Sequence, residues 1–453
     1  MRRTDDDPGN SNWRQRVPPP GASREGAAPS IDAARLLGRL ATFAAIGATA
    51  GGGVNRPALG EGDRRARALL AELARMRGFS VSQDAAANLF IRRPGRLETA
   101  PPFLIGSHLD SQPTGGCFDG ALGVLAAFEV LETLEDANID TDLPVEVVAW
   151  TNEEGSRFAP GSMGSRAFAE AVLPSAAIVS TDGARLGDEL AATLAALPGA
   201  AHRPLGMKIS GYLELHIEQG PLLERSGIPI GVVGAVQGTR WLDVEINGRA
   251  AHAGTTPLEA RCDPVAAAVR GLAGLFDTVM QNDSAARMTV GRITASPGSI
   301  NAVPASATFT IDLRHPDAER LEALENEIRD TLSRVSLAGG CSLRIERILD
   351  MSPARFSEMM TAAIERAAHA SNITTMPMVS GAFHDALFAG RIAPAAMIFV
   401  PCRDGVSHHE SEHVEPEFCA VGAEILLHST LEAIQALRGE WHKTDAGAAV
   451  IAP

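Results

Sequence analysis

The sequence of 453 residues predicts an α/β protein in which a helix-flanked sheet domain is interrupted by a smaller βαββαβ unit. Three observations predict this. Phe103–Ile105, Val145–Trp150 and Ala395–Val400 are apolar runs of the kind that strands covered on both faces require. Each runs into a polar loop that carries His, Asp or Glu. From about Gly238 the pattern changes to strand, helix, strand, strand, helix, strand, and the first pattern returns after about Leu349. The length suffices for two separate cores.

Composition narrows the function. The net charge of −15 argues against nucleic acid and anionic membranes as partners. It leaves a small anionic substrate open, because a local cluster of metal or Arg overrides the global field. No apolar run approaches the ~20 residues of a membrane span. The segment from Met1 to about Pro29 is rich in Pro, Gly and charge. Arg2 and Arg3 have no apolar region behind them, so it is expected to be a disordered tail, not a secretory signal. The five cysteines, Cys117, Cys262, Cys341, Cys402 and Cys419, include no C-x-x-C pair. That usage fits a reducing, cytoplasmic setting and rejects a disulfide framework or zinc finger.

Taken in order, residues 32–45 read as an amphipathic helix with Leu36, Leu37 and Leu40 inward, ended by Gly51–Gly53. Arg64–Arg77 reads as a second helix, with Leu69, Leu70, Leu73 and Met76 on one stripe and Gly78 as its stop. Short strands follow at Ser80–Gln83 and Asn88–Arg92. The strand at Phe103 ends in His108 and Asp110, and a Gly-rich loop then carries Asp119 into a helix from Leu122 to about Glu135. A His and an Asp at the carboxyl end of a strand stand where open α/β sheets hold their sites. His108 offers a neutral nitrogen to a metal, Asp110 can fix its ring from behind, and Asp119 has two oxygens with which to bridge two ions. A polar loop with an incidental His is the alternative.

Val145–Trp150 runs into Glu153 and Glu154. Two adjacent carboxylates at the end of a buried strand are costly unless something positive binds them. One ligand and one general base is the natural division, against a solvated turn. In Leu213–Ile217, Leu213, Leu215 and Ile217 face one way, and Glu214, His216 and Glu218 the other. His216 is a ligand candidate, with a structural histidine as the alternative.

The βαββαβ unit reads as strand Arg240–Ile246, a loop with His252, helix Pro264–Met280, strand Met288–Thr294, a loop with Asn301, strand Ala307–Arg314, helix Pro316–Val335 and strand Ser342–Leu349. It is a domain of roughly 110 residues. Alternation puts Thr308, Thr310, Asp312 and Arg314 on one face, so Arg314 could project from an open sheet or pair with Asp312. A helix (Ser357–Ala370), the segment Val379–Ala386 with His384, strand Ala395–Val400, a loop with His408 and a helix from Phe418 to about Leu437 complete the chain. The expected domains are 30–237 with 350–439, and 238–349 inserted between them; 1–29 and 440–453 are expected to be disordered tails. No internal repeat or phosphate-binding Gly motif is present.

His108, Asp119, Glu154, His216 and His408 each fall in or just after a strand of the first domain, which could gather them at one end of its sheet. Imidazole with carboxylate suits Zn²⁺ best, and Mn²⁺, Co²⁺ or Ni²⁺ less well. Two such ions can share a carboxylate and activate a water whose proton Glu153 could take.

These segments carry a resemblance. Gly106–Ser111, Gly115–Gly120, Asn152–Phe158, Glu214–Gly220, His252–Pro257, Asn301–Pro304, Asp312–Arg314, Ser380–Ala386 and Gly405–His408, in this order and spacing, are similar to the motifs of M20-type metallo-amidohydrolases. The string His216-Ile-Glu-Gln-Gly220 favours the hydantoinase/carbamoylase branch, which holds N-carbamoyl-L-amino-acid hydrolases, β-ureidopropionases and allantoate amidohydrolases. The similarity runs from about Ile31 to Leu437.

The resemblance implies a di-metal catalytic domain with a ferredoxin-like lid that also dimerises. It implies His108 and His216 as ligands of different metals, Asp119 bridging, Glu154 and His408 completing the site, Glu153 as general base and Asp110 orienting His108. Gln219, His252, Asn301, Arg314 and His384 would bind substrate, Arg314 through the substrate carboxylate and His252 with Asn301 at the scissile carbonyl. The reaction would be hydrolysis of a non-peptide carbon–nitrogen bond, first of an N-carbamoyl-L-amino acid, with allantoate, N-carbamoyl-β-alanine and, further off, N-acyl amino acids or dipeptides as alternatives. Cys117, Phe383, His409 and Glu410 depart from the family pattern, and His409 rivals His408. An inert scaffold on the same fold would have lost the base or a ligand; all of them are present.

Overall fold

A computed structural model describes residues 29–448 of the chain. Its strands are β1 (Ser80–Gln83), β2 (Leu89–Arg93), β3 (Phe103–His108), β4 (Val145–Trp150), β5 (Ala201–His202), β6 (Gly211–Ile217) and β7 (Ile230–Val236). They continue with β8 (Gly238–Asn247), β9 (Ala251–His252), β10 (Arg287–Thr289), β11 (Ile293–Ser296), β12 (Ala302–Val303), β13 (Ser306–His315) and β14 (Ser342–Met351). After β15 (Ala354–Arg355) and β16 (Thr375–Ser380), β17 (Ala395–Val400) is the last. Two compact units result. One runs to Gly234 and resumes over Phe356–Met378 and from His384 onward; the other comprises Ala235–Arg355 and Val379–Phe383.

The first unit is built on the sheet order β7-β17-β6-β3-β4-β2-β1-β5. The apolar runs form its middle: β17, β6, β3 and β4 are parallel and buried along their whole length. Burial on both faces is what a near-continuous run of Val, Ile, Leu and Phe satisfies. Strand β3 leads to β4 on one side and lies against β6 on the other, so the order reverses at β3 and β6 and a crevice opens at their carboxyl ends. His108 is the last residue of β3, and His216 is the next to last of β6.

Helices cover this sheet. α1 (Ala33–Ala44) starts at Asp32, whose side chain accepts the N–H of Arg35 as an N-cap. Leu36 and Leu40 face the core as expected, while Leu37 is only half-buried and Phe43 takes the third buried place. α2 (Glu61–Met76) buries a different stripe from the expected one. Asp63, Ala66, Arg67, Leu70, Ala71 and Ala74 face inward, and Met76 is 69% exposed. The alanines admit close approach, and Arg67 is tolerated inside because Asp63 bonds its Nε at 2.9 Å while the carbonyls of Ala87 and Trp150 accept its other N–H groups at 2.7 and 3.0 Å. α3 (Ala121–Asp136) is buried from Ala121 to Leu134, with Glu129 and Glu132 satisfied by Arg35 and Arg39 of α1.

α4 (Met163–Glu170), α5 (Leu186–Ala195) and α6 (Leu222–Ser226) follow in the same unit. Among the described residues, no helix is long and apolar enough to cross a membrane.

The second unit has the sheet order β10-β13-β8-β14, antiparallel throughout. α7 (Pro264–Asn282) and α8 (Ala318–Ala338) cover one face, through a core that includes Leu242, Val244, Leu275, Phe309, Ile311 and Leu324. β13 alternates buried and half-buried along its length, as its sequence predicts. The single strand expected at Met288–Thr294 is broken into β10 and β11. Thr289 pairs with Asp312 and Ile293 with Phe309, so three residues around Gly291 oppose two, which is a bulge. The unit also takes in Val379–Phe383, because the N–H of Gln237 bonds the Ser380 carbonyl at 2.9 Å and Arg314 bonds that of Gly381 at 2.5 Å.

α9 (Glu358–Ala370), α10 (Ala386–Ala389) and α11 (Pro416–Ala448) return to the first unit. α11 continues to Ala448, so residues 440–448 of the expected tail are helical. A single Gly at 439 costs a helix only about 1 kcal/mol, so it need not end one. The expected tail at 1–29 lies outside the described residues except for its last residue, as does 449–453.

Candidate metal centre

Each sequence-expected ligand is set by a strand end or by the loop that follows. The turn after β3 brings the Gly-rich loop back over His108. At Gly120 (φ +64°) an added Cβ would stand 2.3 Å from the His108 ring, so only glycine lets the loop lie this close. That approach puts Asp119 Oδ1 3.6 Å from His108 Nε2 and 3.0 Å from His216 Nε2, while Oδ2 lies 3.3 Å from His408 Nε2. His408 Nε2 is also 3.4 Å from Glu154 Oε2.

Two groups able to hold an ion follow, His108–Asp119–His216 and Asp119–Glu154–His408, and they share Asp119. His108 and His216, expected to serve different ions, fall together in one of these groups. The two rings end adjacent parallel strands with centroids 5.9 Å apart, so both reach the same oxygen of Asp119. A third group, Glu214–His216–His384, was not expected as such.

The far nitrogens fix the rings. His108 Nδ1 bonds the backbone carbonyl of Asp110 at 3.0 Å, and His216 Nδ1 that of Ile217 at 2.9 Å. Nε2 is then the free ligand atom in each. Both Nε2 atoms are buried and without a hydrogen-bond partner. Two orphaned imidazole nitrogens facing a shared carboxylate fit a divalent cation, and the donor set suits Zn²⁺ or a similar ion.

Asp110 acts differently from the expected ring-orienting carboxylate. Its main-chain carbonyl holds His108, and its side chain stands 3.8 Å away. The carboxylate instead accepts the backbone N–H groups of Glu153 and Glu154, each at 3.2 Å. Glu153 Oε2 lies 3.6 Å from His108 Nε2, and Glu154 accepts the backbone and side-chain N–H of Gln112 at 3.1 and 2.7 Å.

The electrostatics are those of too much negative charge in too little water. Burial, with Asp385, Glu154 and Asp119 adding to it against His108, pushes Glu153 well above the usual carboxylate range. Burial and then Asp119 push Glu154 up to about 7. Burial works the same way on Asp119, but the imidazoles of His108, His216 and His408 crowded around it override it and hold the group well down. The hydrogen bond to Asp119 raises His408 to about 9. Asn152, Gln219 and His408 all have positive φ, at 55, 55 and 56°, and such strain collects at functional sites.

The remaining expected residues are distributed as follows. Gln219 Nε2 bonds Asp119 Oδ2 at 3.0 Å and Ser407 Oγ at 3.1 Å. His384 is buried with its ring 4.6 Å from that of His216, and burial lowers it well below the usual range. His409, the rival of His408, bonds Ser411 Oγ at 2.8 Å.

In the second unit, β9 and β12 pair His252 with Ala302, beside Asn301. His252 Nδ1 accepts the N–H groups of Gly254 and Thr255 at 3.1 and 3.2 Å, so its proton sits on Nε2 and can be donated. The Arg314 fork is taken by Asp312, with bonds of 2.9 and 2.7 Å, which is the alternative its sequence left open.

Several residues have roles that the sequence does not show. The buried guanidinium of Arg56 bonds the carbonyl of Leu109 between His108 and Asp110, and Arg67 bonds that of Trp150 at the end of β4. Glu214 accepts Ser107 Oγ at 2.7 Å and the N–H of Ala386 at 3.0 Å. Glu412 is buried beside Asp119. Arg56, Arg67 and Glu412 are lone charged residues with no periodicity by which to find them, and the alternation that places Glu214 on the polar face of β6 does not show its partners.

Comparison with known proteins gives one consistent result. Residues 104–432 match the model of peptidase family M20/M25/M40. The chain is 38% identical over 408 residues to an N-carbamoyl-L-amino-acid amidohydrolase of Rhizobium meliloti, spanning 89% of this chain and 97% of that one. It is 39% identical over 410 residues to the N-carbamoyl-L-amino acid amidohydrolase of Geobacillus stearothermophilus, spanning 89% and 99%. The crystal structure of a hydantoinase/carbamoylase family amidase from Burkholderia multivorans superimposes with a TM-score of 0.85 at 40% identity, covering 90% of this chain and 99% of that one.

Proposed function

The chain belongs to peptidase family M20/M25/M40, on its hydantoinase/carbamoylase side, and from that premise we propose that it hydrolyses the terminal ureido group of a small carboxylate. An N-carbamoyl-L-amino acid is the first choice of substrate, released as amino acid, CO₂ and ammonia. The names of the two relatives support that choice. The observation that carries the reading is the pair of buried, unpartnered His Nε2 atoms facing Asp119, with the covered carboxylate of Glu153 alongside.

We assign one divalent cation to His108, His216 and Asp119 and a second to Asp119, Glu154 and His408, with Zn²⁺ first by donor chemistry. When bound, such a pair supplies Lewis-acid polarisation of the carbonyl and makes water acidic near neutral pH.

The side chains do the rest. Glu153 takes a proton from the attacking water and passes it to the leaving nitrogen as the carbon–nitrogen bond breaks. Burial raises its affinity for a proton above that of an ordinary carboxylate. Asp110 fixes the turn that aims Glu153. His252 Nε2–H and the amide of Asn301 donate to the substrate carbonyl, and Arg314 binds the carboxylate. Gln219 and His384 complete the pocket. The second unit is also assigned as lid and homodimer contact, and a cytoplasmic location is supported by five free cysteines.

The test is ammonia release by metal-loaded protein, with and without chelator, from several N-carbamoyl-L-amino acids, N-carbamoyl-β-alanine and allantoate. An N-acetyl amino acid is followed in parallel as free amine. Chelator-sensitive ammonia from an N-carbamoyl-L-amino acid is expected. Cleavage of the N-acetyl compound alone would move the protein to aminoacylase chemistry.

A further inference from the structure

Glu412 shares a loop with His408, and its side chain turns back into the protein, 5% exposed. Its Oε1 accepts the backbone N–H groups of Phe118 and Asp119, both at 3.0 Å. Its Oε2 lies 3.1 Å from Ser407 Oγ. Ser407 Oγ in turn lies 3.0 Å from Asp119 Oδ2 and receives Gln219 Nε2 at 3.1 Å. Asp119 is thus held through its main chain by Glu412 directly, and Ser407 Oγ, with one proton to give, lies between the carboxylates of Asp119 and Glu412.

The loop accommodates this contact at Gly116, where an added Cβ would stand 2.1 Å from Glu412 Oε1. Glu412 belongs to none of the groups among the described residues that could hold an ion. Its bonds go to the scaffold of the site, not to its centre.

We propose that Glu412 is a positioning residue for the metal centre, clamping the Gly115–Gly120 loop to the Gly405–Glu412 segment through Phe118, Asp119 and Ser407. It sets the distance between Asp119 on one loop and His408 on the other. The inference rests on the reading of this site as a metal centre.

The hydrogen count shows how to test it. Glutamine at this position keeps a carbonyl oxygen for the two backbone N–H groups and offers an N–H to Ser407 Oγ, while alanine keeps neither. The full chain is prepared metal-free as wild type, E412A and E412Q. In E412A, amide exchange at Phe118 and Asp119 rises about tenfold or more, read without metal. Co²⁺ binding by equilibrium dialysis weakens about tenfold or more, and the visible Co²⁺ spectrum changes. kcat falls with little change in KM, and E412Q restores each quantity to within about threefold.

Wild-type exchange, Co²⁺ affinity and spectrum in E412A would overturn the proposal, as would E412Q behaving like E412A. Should E412A not fold, S407A carries the test. It leaves the two backbone bonds in place, so it must weaken Co²⁺ binding while leaving Phe118 and Asp119 exchange unchanged. Unaltered Co²⁺ binding in S407A would overturn the clamp. A wild type that binds no Co²⁺ would instead remove the metal reading, and the exchange comparison would still report whether Glu412 holds the loop.

Discussion

The carboxylate of Asp110 accepts the backbone N–H of Glu153 at 3.2 Å, so the loop after one strand fixes the proposed general base at the end of the next. Two substitutions separate the roles. Glu153→Gln keeps the turn and removes the base; metal and substrate binding are expected to persist while turnover falls at least ~10²-fold. Asp110→Ala leaves Glu153 in place but frees the turn, and should lower turnover with a smaller loss of metal binding. Near-normal turnover in Glu153→Gln would sink Glu153 as the base.

Gly120→Ala tests the packing of the loop on His108. The added Cβ would meet the ring at 2.3 Å, in a backbone conformation that side chains avoid. The strain costs at least about 1 kcal/mol, and His108 must move. A lower Tm with loss of divalent-metal binding is expected, by calorimetry and dialysis. Unchanged metal affinity would show that His108 is not a ligand.

The pH dependence of the metal-free protein follows from groups whose folded state favours the proton. The hydrogen bond to Asp119 holds His408 up at about 9 against an ordinary 6.5. Its contribution is therefore complete below pH 6.5 and lost as pH rises through about 9. Burial and then Asp119 hold Glu154 and Glu412 at about 7 against 4.5, so their contributions are complete below pH 4.5 and lost through about 7. The Tm of metal-free protein should fall from roughly pH 5 to 9, and a divalent cation should flatten the curve by taking the protons' place. A metal-free Tm that rises across this window would contradict the assignment.

Arg314 bonds Asp312 through two N–H groups in this structure, so a substrate carboxylate must use its remaining donors or displace Asp312. Arg314→Ala is expected to raise KM for carboxylate substrates about tenfold or more, with a lesser effect on kcat. An unchanged KM would remove Arg314 from the anion site.

How much of this was legible in the sequence depends on distance along the chain. Val145–Trp150 and Ala395–Val400 were readable to the residue, because a buried parallel strand is a local apolar run. The βαββαβ order was readable from a different local signal, the strict alternation of antiparallel strands such as β13. The buried face of α2 was not, since alanines score weakly and Arg67 enters the core only through Asp63 and two distant carbonyls. The sharing of Asp119 Oδ1 by His108 and His216 depends on β3 lying beside β6, a pairing across about a hundred residues that no local pattern records. Glu412 was invisible for a related reason: a carboxylate in a polar loop shows its purpose only when Phe118 and Asp119 arrive against it.

The most direct test of the central claim is a metal titration of metal-free protein against ammonia release from an N-carbamoyl-L-amino acid. The account predicts no release without metal and a rise that levels at two equivalents of divalent cation per chain. Full release in the presence of chelator, or a titration that shows no dependence on metal, would contradict it.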